Sequence, residues 1–219
     1  MLLVLLTGFV GCHREVQGRF EATKIDLDVA GDCKMVGDID KDGFVDLVVG
    51  GLRNEKLNWY HYPSWRKTVI ATPVEEFTTD GELGDVDGDG DLDIVVPDAT
   101  GPDNLKWFEN PLPKGDPFKG GQWRRHTIGS LGDWGKDVEL ADYDGDGRLD
   151  VATRTKQEAM IYFQTGADVW AKQSFKSLAL SGEGMASGDI DGDGDVDLVL
   201  QGFWLENPGG ASARDASLW

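Results

Sequence analysis

Four short stretches of this 219-residue chain concentrate its chemistry. In the first, Asp38, Asp40, Asp42 and Asp46 stand around Gly43 in the order Asp-x-Asp-x-Asp-Gly-x-x-Asp. The pattern returns without gaps at Asp85, Asp87, Asp89 and Asp93, at Asp142, Asp144, Asp146 and Asp150, and at Asp189, Asp191, Asp193 and Asp197. Alternate residues of a tight turn can aim their carboxylates at one point, and a glycine in the sixth place allows the sharp reversal. Calcium takes about six to eight oxygen ligands, so it is the expected guest: about four ions, one per loop. The seventh residue would add only its carbonyl oxygen, which explains why Phe44, Asp91, Arg148 and Asp195 can all stand there. Magnesium keeps several waters and seldom uses an all-protein cage. Zinc lacks its usual Cys and His ligands. The loops are not EF-hands, because the twelfth place, which there holds a bidentate Glu, is Val49, Val96, Thr153 or Leu200. A merely solvated acidic turn would explain one such loop but not four in register. Four carboxylates in one turn would repel strongly without a cation.

The elements that hold these loops repeat with them. The first aspartates are 47, 57 and 47 residues apart. Each loop runs into a short apolar segment, Leu47-Val48-Val49, Ile94-Val95-Val96, Val151-Ala152-Thr153 or Leu198-Val199-Leu200, that reads as a buried strand. Downstream lie an aromatic marker (Trp59, Trp107, Tyr162, Trp204), twice continued as Glu-Asn-Pro, and a second one (Trp65, Trp123, Trp170) that opens another strand-like stretch. The longer second repeat carries its extra residues between Trp107 and Trp123, where Pro111 to Gly121 reads as an inserted loop. Each unit thus predicts about four strands and no helix. The expected fold is an all-β β-propeller of four-stranded blades; a parallel β-helix is the alternative, though its coils are shorter.

The expected boundaries are a signal or lipoprotein-like segment and linker over 1–17 and propeller repeats over 18–219. Within the repeats, 18–32 reads as a partial blade strand, 33–71 as the first blade, 79–129 as the second, 135–178 as the third and 183–219 as an incomplete fourth. Arg19 to Ile25 reads as the last strand of a missing or shared blade, and Trp219 falls where the fourth unit's final strand should begin. Either these halves complete one small ring, or the four repeats are part of a larger propeller of about seven blades.

Forty acidic against 21 basic residues leave a formal charge of −19. That argues against nucleic acid, whose phosphates need clustered positive charge. The N-terminal apolar run ends in a small residue before Cys12, as in a bacterial lipoprotein signal; an ordinary secretory signal is the alternative. The run is too short to span a membrane. Export is expected, with the chain secreted or anchored through lipid on Cys12 at the cell surface or in the periplasm. Cys33 reads as a small buried apolar residue.

The loops and their following strands resemble the FG-GAP and VCBS repeats, the calcium-bearing propeller blades also seen in integrin α chains. The likeness covers roughly residues 33–208, although the Phe-Gly and Gly-Ala-Pro words behind the name are missing. It implies that calcium links the first two strands of a blade, holds the scaffold and does no chemistry, with ligands on the opposite face. Two functions follow as expectations. One is a non-catalytic scaffold for carbohydrate or a surface protein, with Trp59, Trp107, Trp123 and Trp170 packing between blades or offering stacking platforms. The other is the propeller portion of a carbohydrate-active enzyme such as a polysaccharide or sugar lyase, for which His61, Tyr60, Tyr62, Arg125 and His126 are the candidates. No nucleophile elbow, phosphate loop or separate acid pair supports catalysis.

Overall fold

A computed structural model describes residues 21–26, 31–51, 56–72, 77–78, 80–99, 101–175, 180 and 183–219. The apolar N-terminal run, Cys12 and the two residues that open the expected leading strand lie outside them; Glu21 to Asp26 carry no strand.

The described chain is a succession of antiparallel meanders. The first sheet holds β1 (Cys33–Gly37), β2 (Asp46–Gly50), β3 (Leu57–His61) and β4 (Arg66–Ala71) in sequence order. The second holds β5 (Glu82–Gly84), β6 (Asp93–Pro97), β7 (Leu105–Glu109) and β8 (Arg124–Gly129). The third holds β9 (Val138–Ala141), β10 (Asp150–Arg154), β11 (Ala159–Gly166) and β12 (Val169–Phe175). Three strands make the fourth: β13 (Met185–Gly188), β14 (Asp197–Leu200) and β15 (Phe203–Leu205). No α-helix occurs among the described residues; two short 3-10 turns lie at Gly120–Gln122 and Gly210–Arg214. Each acidic loop joins the first two strands of its sheet. The hairpin is closed by a cross-strand pair in which the ninth aspartate faces the residue before the first: Gly37 with Asp46, Gly84 with Asp93, Ala141 with Asp150, and Gly188 with Asp197.

Burial explains how the sheets stand. In β3 and β7 four consecutive residues are buried, so both faces of these strands are covered. On one face the covering is apolar and comes from the neighbouring sheet: Met35, Val48 and Trp59 pack with Ile94, Val96 and Phe108. Val95, Leu105 and Trp107 of the second sheet meet Val151, Met160 and Tyr162 of the third in the same way. Ala152, Ile161 and Phe163 of the third meet Leu198 and Leu200 of the fourth. The first strands β1, β5, β9 and β13 neighbour one another in turn, whereas the last strands β4, β8 and β12 are mostly exposed. A side chain at Gly84 would come within 2.8 and 2.9 Å of the ends of the Leu140 and Leu149 side chains, so these leucines pack directly against the glycine backbone.

The inserted loop is not solvated padding. Phe118 reaches back to the first sheet, its ring 4.6 Å from Trp59 and 5.1 Å from His61, under the Arg66 guanidinium. Cys33 is wholly buried, and burial pushes its thiol up to about 12, as expected of an apolar role. At the C-terminus Trp219 packs on Phe175 and Tyr143 of the third sheet.

Candidate metal centres

Each acidic loop is a nest of side-chain-to-backbone hydrogen bonds. The first aspartate accepts from the amide of the sixth residue: Gly43 N to Asp38 3.0 Å, Gly90 N to Asp85 3.0 Å, Gly147 N to Asp142 2.8 Å and Gly194 N to Asp189 3.2 Å. The fifth accepts from the seventh, as Phe44 N does to Asp42 at 2.9 Å and Asp195 N to Asp193 at 3.0 Å. Such local bonds make Asp a turn-former. The sixth place has positive φ throughout (Gly43 91°, Gly90 90°, Gly147 88°, Gly194 99°), the conformation that only glycine adopts without cost. The fourth place does too, and there Gly88, Gly145 and Gly192 are replaced in the first loop by Lys41, at φ 59°.

The ninth aspartate is a clasp. Asp46, Asp93, Asp150 and Asp197 are all buried. One oxygen of each accepts the amide of the loop's second residue: Ile39 at 3.3 Å, Val86 at 2.9 Å, Tyr143 at 3.0 Å and Ile190 at 3.0 Å. The other accepts an amide from the end of the third strand or just beyond it: Tyr62 at 2.9 Å, and Asn110, Gln164 and Asn207 at 2.8 Å. Three of those four side chains then cross to the preceding loop. Asn110 Nδ2 donates to Ile39 O at 2.9 Å, Gln164 Nε2 to Val86 O at 3.0 Å and Asn207 Nδ2 to Tyr143 O at 2.8 Å. The loops are thereby chained together: Ile39, Val86 and Tyr143 are each held by their own ninth aspartate and by the next sheet.

In each loop three donor side chains converge, and the set is not the same in all four. Asp85, Asp87 and Asp93 each place an oxygen within 4.8 Å of the others, as do Asp142, Asp144 and Asp146, and Asp189, Asp191 and Asp197. In the first loop the close set is Asp40, Asp42 and His61. Asp38, Asp89 and Asp193 serve the backbone of their turns, and Asp46 and Asp150 act as clasps. At the seventh place Phe44 is exposed, Asp91 is buried, and Arg148 sends its side chain to Gln164 O. The donor set suits a hard divalent cation. Asp40 Oδ1 and Asp85 Oδ1 are buried with no hydrogen-bond partner, as oxygens awaiting a cation would be. Burial, with Asp87 and Asp91 nearby, pushes Asp93 up to about 8. Burial also pushes Asp150 up to about 7, helped by Asp144 and Asp146, and Asp91 up to about 7, helped by Asp89. Asp40 and Asp87 move the same way from burial and their acidic neighbours. A bound divalent ion would oppose these shifts in the carboxylates it touches.

The sequence pattern of the FG-GAP-like repeat matches the chain twice, over residues 38–96 and 85–153, together more than half its length. The chain belongs to the FG-GAP-like repeat family. Each match starts on the first aspartate of a loop and ends in the strand that follows the next loop, so it spans two acidic loops and the strands between them. No curated protein sequence matches significantly. Among solved structures, the Tc holotoxin pore of Photorhabdus luminescens aligns at 18% identity with a TM-score of 0.44, over 75% of this chain and 8% of that one. The exotype rhamnogalacturonan lyase YesX aligns at 15% identity and 0.45, over 81% of this chain and 39% of that one. The chain thus spans well under half of either structure.

The third FG-GAP-like loop carries its own cations. Arg214, from the 3-10 turn after the fourth sheet, pairs with Asp144 and lies 2.9 Å from Asp146, and Arg148 also pairs with Asp146. Neither Arg214 nor the crossing residues Asn110, Gln164 and Asn207 stand out in the sequence by residue type. The one signal was the recurring Glu-Asn-Pro, which contains Asn110 and Asn207. The lyase candidates fall into two separate places. His61 sits at the first loop, with Asp40, Asp42 and Ser64, while Tyr60 bonds Asp26 and Tyr62 packs on Phe44 and Trp65. His126 stacks on Trp107 and is gripped between Glu109 and Asp168, tying the second sheet to the β11–β12 turn, and Arg125 is exposed on β8. The two histidines share no partner among these contacts.

Proposed function

We propose that the chain is the calcium-stabilised part of an extracytoplasmic β-propeller, a binding or adhesion scaffold for a carbohydrate or a surface protein. The chained clasp supports this most directly. A cation held by one loop would tighten a turn already bonded to its own sheet through the ninth aspartate and to the next sheet through Asn110, Gln164 or Asn207. Metal binding in such a chain stabilises the contacts between sheets, on which repeat folds depend. The expected ligands are the side-chain oxygens of positions one, three, five and nine with the carbonyl of position seven. Calcium supplies charge neutralisation there, and the aspartates supply orientation. The histidines and tyrosines that a lyase would use are spent on packing and on ion pairs within the scaffold, which favours binding over catalysis.

Thermal unfolding of metal-stripped protein decides the first part: millimolar calcium is expected to raise the midpoint by many degrees, and magnesium much less. No shift with either ion would return the aspartates to the role of solvated turns. Incubation with polysaccharides is expected to release no unsaturated product; release would move the reading to a lyase. Radiolabelled palmitate incorporated at Cys12 in a bacterial host would establish the anchor, and an unlabelled secreted product would remove it.

A further inference from the structure

We propose that the first loop is a mixed nitrogen–oxygen centre that binds a divalent transition-metal ion of the zinc or cobalt kind through His61 Nε2, Asp40 and Asp42. The proposal rests on the reading of these loops as cation sites and departs from it in one of the four. His61 Nε2 lies 3.1 Å from Asp40 Oδ2 and 3.2 Å from Asp42 Oδ2, so the three donor atoms form one tight triangle. In the other three loops the converging atoms are carboxylate oxygens alone. The residue at the same place, just before the one whose amide meets the ninth aspartate, is Glu109, Phe163 or Glu206 in those repeats.

The imidazole is oriented as a ligand would be. Its Nδ1 is 3.3 Å from Ser64 Oγ, which is also 3.3 Å from His61 O. In the tautomer in which Ser64 donates to that carbonyl and accepts from Nδ1–H, the Nε2 lone pair faces the carboxylates. A second partner on the far nitrogen is the usual way a protein fixes a ligating histidine. Two aromatic rings that pack on each other hold the imidazole: Trp59 meets it edge-on at 5.9 Å and Phe118, from the inserted loop, at 5.1 Å. Asp40 keeps its other oxygen, Oδ1, buried and without a partner. In that tautomer the lone pair faces two anionic oxygens, and a cation between them offsets the repulsion. Imidazole nitrogen with carboxylates suits zinc and its first-row neighbours, whereas calcium takes oxygen.

The test uses the full chain, stripped of metal and titrated with Co2+ while its visible absorption is read, alongside the same chain carrying His61→Ala or His61→Gln. The expected result is one equivalent of Co2+ with a d–d band in the wild type. Either substitution should remove the band and weaken that equivalent by at least about tenfold. Zn2+ should displace the Co2+. Calcium-driven thermal stabilisation should survive in both variants, which shows that they fold and that the remaining loops are intact. Equal Co2+ affinity and equal spectra in wild type and variants would overturn the proposal and leave His61 as an ordinary ion-pair partner. If the Co2+ signal depends on His61 but calcium stabilises neither protein, the calcium reading falls and the mixed centre stands. The opposite pattern removes the mixed centre alone.

Discussion

Replacing Asn110 by Ala removes a cross-sheet bond while leaving the metal carboxylates untouched. Asn110 is buried, and its Nδ2 serves Ile39 O at 2.9 Å and Leu92 O at 3.2 Å while its Oδ1 accepts from Leu112 N at 3.3 Å. A buried polar group left without its partner costs about 1–3 kcal/mol. Ile39 is wholly buried, so its carbonyl bears most of that cost; Leu92 and Leu112 are nearer to water and add less. The expected loss is about 2–4 kcal/mol, which for a chain of this length lowers the midpoint by roughly 5–12 °C. Asn110→Asp separates hydrogen bonding from space filling. It keeps the shape and the acceptor toward Leu112 but turns an oxygen toward two carbonyls, so it should cost at least as much as Ala. Thermal and urea unfolding in millimolar calcium measure both. An aspartate variant as stable as wild type, or an alanine variant within about 0.5 kcal/mol of it, would refute the latch. Asn207→Ala removes the matching bond to Tyr143 O in another interface. The double variant should therefore be additive to within about 0.5 kcal/mol.

Other consequences can be checked in the same assays. In metal-free protein the raised Asp93 and Asp150 carboxyls hold protons that the unfolded chain gives up near pH 4. Their contribution is complete below that pH and is lost as pH rises through about 7 and 8, so the metal-free midpoint should fall between pH 5 and 8. Calcium affinity should rise over the same window, because the ion must displace those protons. Arg214→Ala removes an internal cation from Asp144 and Asp146. It should lower the metal-free midpoint while tightening calcium at the third loop several-fold, measured by calorimetric titration. Lys41→Gly relieves a side chain at φ 59° in a place that is glycine in the other three loops. It should stabilise the calcium-bound protein by about 0.5–1 kcal/mol, and a loss of stability would show that Lys41 matters through its charge beside the second loop.

Much of this molecule was legible in its residues because the information is local. Asp-x-Asp-x-Asp-Gly-x-x-Asp closes on itself within nine residues, so turn geometry and the apolar strand after it follow from short-range sterics and hydrogen bonding. The repeat then multiplies one inference by four. The sequence by itself determined the all-β class, the loop-bearing hairpin as the unit, and the oxygen-rich chemistry of its turns. What separates the four loops came only with tertiary structure. His61 is 19 positions from Asp42, Arg214 is 70 from Asp144, and Asn110 is 71 from Ile39. Their partners belong to other strands or other sheets, so no pattern along the chain announces them. Nor could composition tell which aspartates converge with their neighbours and which, like Asp46 and Asp150, only accept backbone amides from the loop and the third strand. That division depends on which oxygens are buried against which amides, and burial is decided when one sheet packs against the next.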